Sequence, residues 1–184
     1  MKTTLIWKGI RYQSLEYFTI QETPEHYAVS SKITGSFKDK IYAVEYTINI
    51  DKNWNIQEFA IQSEVNSVKN TLSGKKLGNQ WEINQIIRPE LEGIPYIDIS
   101  LTPFTNSLPI NTLKLQENDS RDIHVIYIDV LHADFRPVSQ RYTRTAKEKY
   151  RYENIPKNFE AEITVDEAGL VLDYPQLFEK VEIL

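Results

Sequence analysis

Residues 41–50 read IYAVEYTINI, with Tyr42, Val44, Tyr46, Ile48 and Ile50 on one parity and Glu45, Thr47 and Asn49 on the other. Successive side chains of a β-strand point to opposite faces. This stretch is therefore predicted to be a strand with one face in a core and the other in water.

The same period recurs outward from it. Phe159, Ala161, Ile163 and Val165 alternate with Glu160, Glu162 and Thr164, and Gly169 then turns the chain into Leu170-Val171-Leu172, which predicts a hairpin. Between Trp54 and Ile61 the apolar parity changes, as a bulge inside one long strand would make it do. Turn chemistry appears at short intervals, at Thr23-Pro24, Thr34-Gly35-Ser36, Asp51-Lys52-Asn53, Ser73-Gly74-Lys75, Gly78-Asn79, Gly93-Ile94-Pro95, Asn118-Asp119-Ser120 and Asp166–Gly169. Many short antiparallel strands in one meandering sheet account for that spacing. The stretch IHVIYIDVLHADF (residues 123–135) is apolar on both parities, which predicts a strand buried on both faces, between sheet and helix.

One segment breaks the rhythm. In SLTPFTNSLPINTL (residues 100–113) Thr102 suits a cap, Pro103 a first helical position, and Leu101, Phe104 and Leu108 recur at helical intervals, so the single substantial helix is placed here, with Pro109 expected to shorten or kink it. No linker, repeat or charge block divides the chain, and residues 1–184 are expected to form one domain.

Composition removes several function classes. Lys and Arg number 21 against 26 Asp and Glu, a net charge of -5 that disfavours a nucleic-acid partner and electrostatic docking on anionic lipid. There is no cysteine, hence no disulfide, thiolate ligand or cysteine nucleophile. The N-terminal residues lack a signal-peptide pattern and no stretch is apolar enough for a membrane span, so a cytoplasmic location is expected. The histidines His26, His124 and His132 form no metal-binding motif, and if His124 and His132 share a strand, about 26 Å separates them. No nucleotide-binding glycine loop or nucleophile elbow occurs, so no cofactor, metal or catalytic residue is assigned and the chain is read as a non-enzyme. The unusual region is VSQRYTRTAKEKYRYEN (residues 138–154), where arginines interleave with tyrosines. Rings stack on the apolar faces of sugars and guanidiniums donate forked hydrogen bonds, so such residues can line a headgroup site; equally, they can pack across strands and pair with carboxylates.

Four stretches together resemble a known family: YIDISLTPFTNSLPI from Tyr96, YIDV from Tyr127, RPVSQRYTR from Arg136 with KYRYEN following, and GLVLDYPQLF from Gly169. They are similar to the bacterial putative glycolipid-binding family, most strongly over residues 96–178, with Trp7 and the E-Y-F strand from Glu16 agreeing in layout. The resemblance implies a mostly β fold, a long antiparallel sheet rolled around a single central α-helix as a spiral β-roll, with the TPFTNSLPI helix as its plug. It also implies a lipid or glycolipid ligand.

Three functions follow as expectations. The first is a binder holding an apolar ligand between rolled sheet and helix, with polar contacts from Asn106, Arg141, Tyr142, Arg151 and Tyr152; it requires an internal cavity larger than a few waters. The second is a non-catalytic structural or protein-interaction module in which those residues only stabilise the roll. The third is a hydrolase using carboxylates such as Asp98, Asp129 or Asp173.

Overall fold

The structure, a computed structural model, describes residues 2–183. From the N-terminus run β1 (Lys2–Gly9), β2 (Ser14–Glu22), β3 (His26–Phe37), β4 (Lys40–Asp51), β5 (Ile56–Val65), β6 (Val68–Leu77), β7 (Gln80–Ile83) and β8 (Ile86–Ile87). After a 3-10 turn at Pro89–Leu91 come β9 (Tyr96–Ile99), helix α1 (Phe104–Leu113), β10 (Ser120–Asp129), β11 (Asp134–Ala146), β12 (Lys149–Ile155), β13 (Glu160–Val165), β14 (Val171–Tyr174) and β15 (Phe178–Ile183).

All fifteen strands form one sheet, in the order β8-β7-β6-β5-β4-β3-β2-β1-β15-β14-β13-β12-β11-β10-β9. Neighbours are antiparallel except β9 and β10, which run parallel and are joined by α1. A parallel pair needs a crossover, and the only helix longer than one turn among the described residues supplies it. The edges are β8 and β9, yet they are consecutive in sequence. Laid flat, fifteen strands would hold those edges about 67 Å apart. The chain from Arg88 to Pro95 reaches at most about 30 Å. The sheet therefore has to roll, and the Arg88–Pro95 link lies along the β6–β7 hairpin, with Gly93 N–H donating to Asn79 O at 2.8 Å and Trp81 Nε1 to Ile94 O at 2.8 Å.

The roll overlaps itself. Ile128 and Val130 share a crevice with Ile61 and Leu72, so the outer face of β10 meets the inner face of β5 and β6. Lys40 Nζ, donating to Leu131 O at 2.6 Å, ties the overlap. This is why Val125, Ile126 and Ile128 are all buried, as their two-sided apolar pattern predicts. Inside the curl the rings of Trp7, Phe18 and Phe104 follow one another at 4.8 and 4.7 Å. Helix residues Phe104 to Ile110 are buried all round, because sheet surrounds α1.

The expected helix, the β13–β14 hairpin and the alternating β4 are all present. Thr102 Oγ1 accepts the Phe104 N–H at 3.1 Å as a cap, Pro103 sits one residue before the first helical position, and Pro109 stands inside the helix. Other expectations need correction. Trp54 lies in the β4–β5 turn with φ 66°, so its parity belongs to the turn; the bulge is real but falls at Gln57, where Ile50 faces Ile56 while Asn49 faces Glu58. Thr34-Gly35-Ser36 and Ser73-Gly74-Lys75 are not turns but lie within β3 and β6. Glycine serves there for close approach, since a Cβ on Gly74 would stand 2.1 Å from the Phe59 ring and one on Gly35 2.7 Å from the Tyr42 hydroxyl. His132 is not on the strand of His124: β10 ends at Asp129, and His132 occupies the following turn, with Nδ1 2.9 Å from Asp129 Oδ2.

Candidate binding site

The helix is shorter than the roll. Its ten residues span about 15 Å, whereas the twelve residues of β3 or β4 span about 40 Å, so α1 fills the middle and leaves both ends unplugged. At the end near the helix N-terminus lies a cavity of about 340 Å³. At the other end a smaller space of about 260 Å³ opens between Tyr27, Trp54, Ile20, Leu170 and Asn111.

Two unlike sets of side chains line the larger cavity. One is aromatic: Tyr152, Phe159, Tyr174, Phe178 and Tyr12 line it, with neighbouring ring centroids 5.9 to 6.3 Å apart. These rings come from β12, β14, β15 and the turns between strands, which sheet order brings together at one end. The other wall is polar. Asp98 on β9 faces Tyr127 on β10, which faces Arg136 on β11, and Gln140 and Asn154 continue the same face across β11 and β12.

Asp98 is the deepest charge. Gln140 Nε2 donates to its Oδ2 at 2.6 Å and Thr105 Oγ1 to its Oδ1 at 3.3 Å. Surrounding protein atoms raise its pKa by desolvation, against those two hydrogen bonds, which lower it. Its partial solvent exposure is exposure to the cavity that it lines. Burial likewise holds the phenols of Tyr127, Tyr152 and Tyr174 above the ordinary tyrosine value, so they stay neutral donors at physiological pH. At the rim stand the exposed Arg11 and Arg136.

Behind the polar wall is a second buried acid. Glu16 Oε1 accepts from Ser31 Oγ at 2.7 Å, Tyr46 OH at 2.7 Å and Thr102 Oγ1 at 2.9 Å. Its Oε2 has no hydrogen-bond partner among the described residues, and desolvation pushes its pKa up to about 7. Thr102 joins the two regions, because it bonds Glu16, caps α1 and lines the cavity.

The expected binding residues divide between the two faces of the sheet. Asn106 and Tyr152 line the cavity. Tyr142 sits one layer behind, its hydroxyl donating to Asn106 Oδ1 at 2.7 Å and its ring 5.5 Å from Tyr152. Arg141 and Arg151 are corrected: they point outward, Arg141 paired with Asp122 at 2.5 and 2.8 Å and Arg151 lying 3.8 Å from Glu153. Period two requires this, since both are out of phase with the tyrosines beside them. The cations at the cavity are Arg11 and Arg136 instead. The apolar space expected between helix and sheet is filled by Phe104, Leu108 and Ile110, and open volume lies at the ends. Of the carboxylates considered for hydrolysis, Asp98 lines this cavity, Asp129 holds the His132 turn, and Asp173 on β14 is paired in register with Glu179. Glu16 was detectable as a charged residue in phase with Phe18 and Ile20. Arg11 carries no such signal, because strand order decides which turn closes which end.

A family model described as "Putative glycolipid-binding" matches residues 4–180. The crystal structure of a DUF1089 family protein from Pseudomonas aeruginosa superposes with a TM-score of 0.81 at 28% identity, covering 90% of this chain and 92% of that one. A β-barrel-like protein of DUF1849 from Brucella abortus shares the fold at a TM-score of 0.57 and 9% identity, over 99% of this chain and 95% of that one. No curated protein matches the sequence. Among the described residues no helix is long and apolar enough to cross a membrane.

Proposed function

The chain belongs to the putative glycolipid-binding family, and from that premise we propose that the cavity beside the helix N-terminus holds the sugar-bearing head of a glycolipid, binding it without chemistry. The observation that carries this reading is that one cavity is lined both by the rings of Tyr152, Tyr174 and Phe178 and by the polar side chains of Asp98, Gln140 and Asn154. A pyranose presents C–H faces to rings and hydroxyls around its edge, and these two walls answer both. An acyl chain suits the site less well, because it would cover the polar groups of the second wall and give their remaining hydrogen-bonding capacity no partner in place of water. A volume of about 340 Å³ is in keeping with a head group, being near the small end of ligand pockets, about 300–1,000 Å³. The acyl part would extend past the rim.

The test is titration of the purified protein, followed by NMR or calorimetry, with methyl glycosides of several hexoses, monomeric octyl glucoside and octanol. At least one glycoside is expected to bind, octanol to bind more weakly, and Tyr152→Ala and Asp98→Asn to lose roughly ten-fold or more in affinity. Octanol binding as tightly as the best glycoside, or no binding by any glycoside, would overturn the reading.

A further inference from the structure

Resting on that reading, we infer that the head group is anionic: its negatively charged group, phosphate or carboxylate, sits at the rim between Arg11 and Arg136 while its ring lies between the aromatic and polar walls. The cavity is polarised along its depth. Its ionisable lining consists of Asp98 inside and Arg11 and Arg136 outside, the tyrosines being neutral. Asp98 is already engaged by Gln140 and Thr105 and can take a further sugar hydroxyl as donor.

The arginines are differently placed. Arg11 lies over the Phe37 ring at 5.8 Å, and no carboxylate pairs with it among the described residues. Arg136 is held over Tyr127 at 5.0 Å and paired with Asp134 at 2.9 Å. Both members of that pair are more than half exposed, at 53% and 56%, so the pairing contributes at most about 1 kcal/mol and an entering oxyanion can displace it. Two guanidiniums, one free and one weakly engaged, line the outer part of one cavity in a chain of net charge -5. Planar guanidiniums fork onto phosphate and carboxylate oxygens, and a neutral glycoside would leave both in water.

The source of such a group is either a lipid-linked sugar, with phosphate between sugar and tail, or a free sugar phosphate or uronate. Calorimetry at low salt would compare methyl glucoside, glucose 1-phosphate, glucuronate, octyl glucosyl phosphate and inorganic phosphate, with the hexose replaced by whichever one binds. The charged sugars are expected to bind roughly ten-fold or more tightly than the neutral glycoside, an advantage that shrinks as salt rises. Arg11→Gln combined with Arg136→Gln should erase that advantage, so that within the variant charged and neutral sugars bind alike; an advantage that survives in the variant would overturn the inference. Octyl glucosyl phosphate binding above glucose 1-phosphate would name the lipid-linked source, and equal binding the free one. Equal affinity for neutral and charged sugars would overturn the inference and leave the glycoside site standing. So would inorganic phosphate binding as well as the sugar phosphate, because the ring would then contribute nothing. Binding by no sugar at all would overturn both.

Discussion

Strands β4 and β10 are alike in composition and unlike in surroundings. In β4 burial alternates: Tyr42, Val44, Tyr46, Ile48 and Ile50 are inside, with Ala43, Glu45 and Thr47 in water. In β10 Val125, Ile126 and Ile128 are all inside, because its outer face lies under the first half of the sheet. The difference teaches that in a spiral a strand's place along the curl decides how many of its faces need be apolar. β4 obeys period two, whereas β10, lying where the sheet overlaps itself, does not.

The comparison breaks most easily at Phe104, where ring packing from β2 meets the helix that also anchors Tyr142. Phe104→Ala is expected to cost about 3–5 kcal/mol in urea unfolding, in a single transition. Two separated transitions would show that the outer and inner turns are independent units. A direct contrast sets Ile126→Ala against Thr47→Ala, each outward-facing on its strand. The first should cost about 2–5 kcal/mol, the second less than about 0.5. Similar costs would refute the overlap of the roll.

Glu16 adds a pH dependence. Its folded pKa, about 7, lies above the ordinary 4.5, so the folded state binds the extra proton between those values. Its contribution is complete below about pH 4.5 and is lost as pH rises through 7, on the order of 3 kcal/mol in all. Glu16→Gln should therefore gain stability relative to the native protein as pH goes from 5 to 8, measured by urea midpoints at each pH; a difference independent of pH would show that Glu16 is ionised throughout. The smallest effect is expected outside. Arg141→Ala removes an exposed pair with Asp122 and should leave both the urea midpoint and glycoside affinity unchanged. A loss of affinity there would move the site to the outer face.

Much of the outer turn was legible in the sequence. Tyr42 to Ile50 announces its own burial, and the helix is marked by Thr102, Phe104 and Leu108 against a background of alternation. The misreadings share a cause. Gly35 and Gly74 look like turns because glycine permits turns, but here each admits a neighbouring side chain that only the assembled sheet brings near. Of the residues expected to bind, Asn106 and Tyr152 line the cavity, whereas Arg141 and Arg151 have the chemistry of a headgroup site but a parity that sends them outward. Arg11 and Arg136 stand 125 positions apart and come to line one cavity only through the order of strands.

That order has a kinetic consequence. β1 lies between β2 and β15, so the seam joining the two halves pairs the first strand with the last. During synthesis β2 to β8 can zip by successive hairpins, each needing only its neighbour, while one edge of β1 waits until β15 has been made. Trp7, whose indole N–H donates to Val171 O at 2.8 Å, waits with it. The half-made chain thus carries an open strand edge beside an unburied tryptophan. A holding chaperone would find its surface there, and a nascent chain stalled before β14 would aggregate through β1.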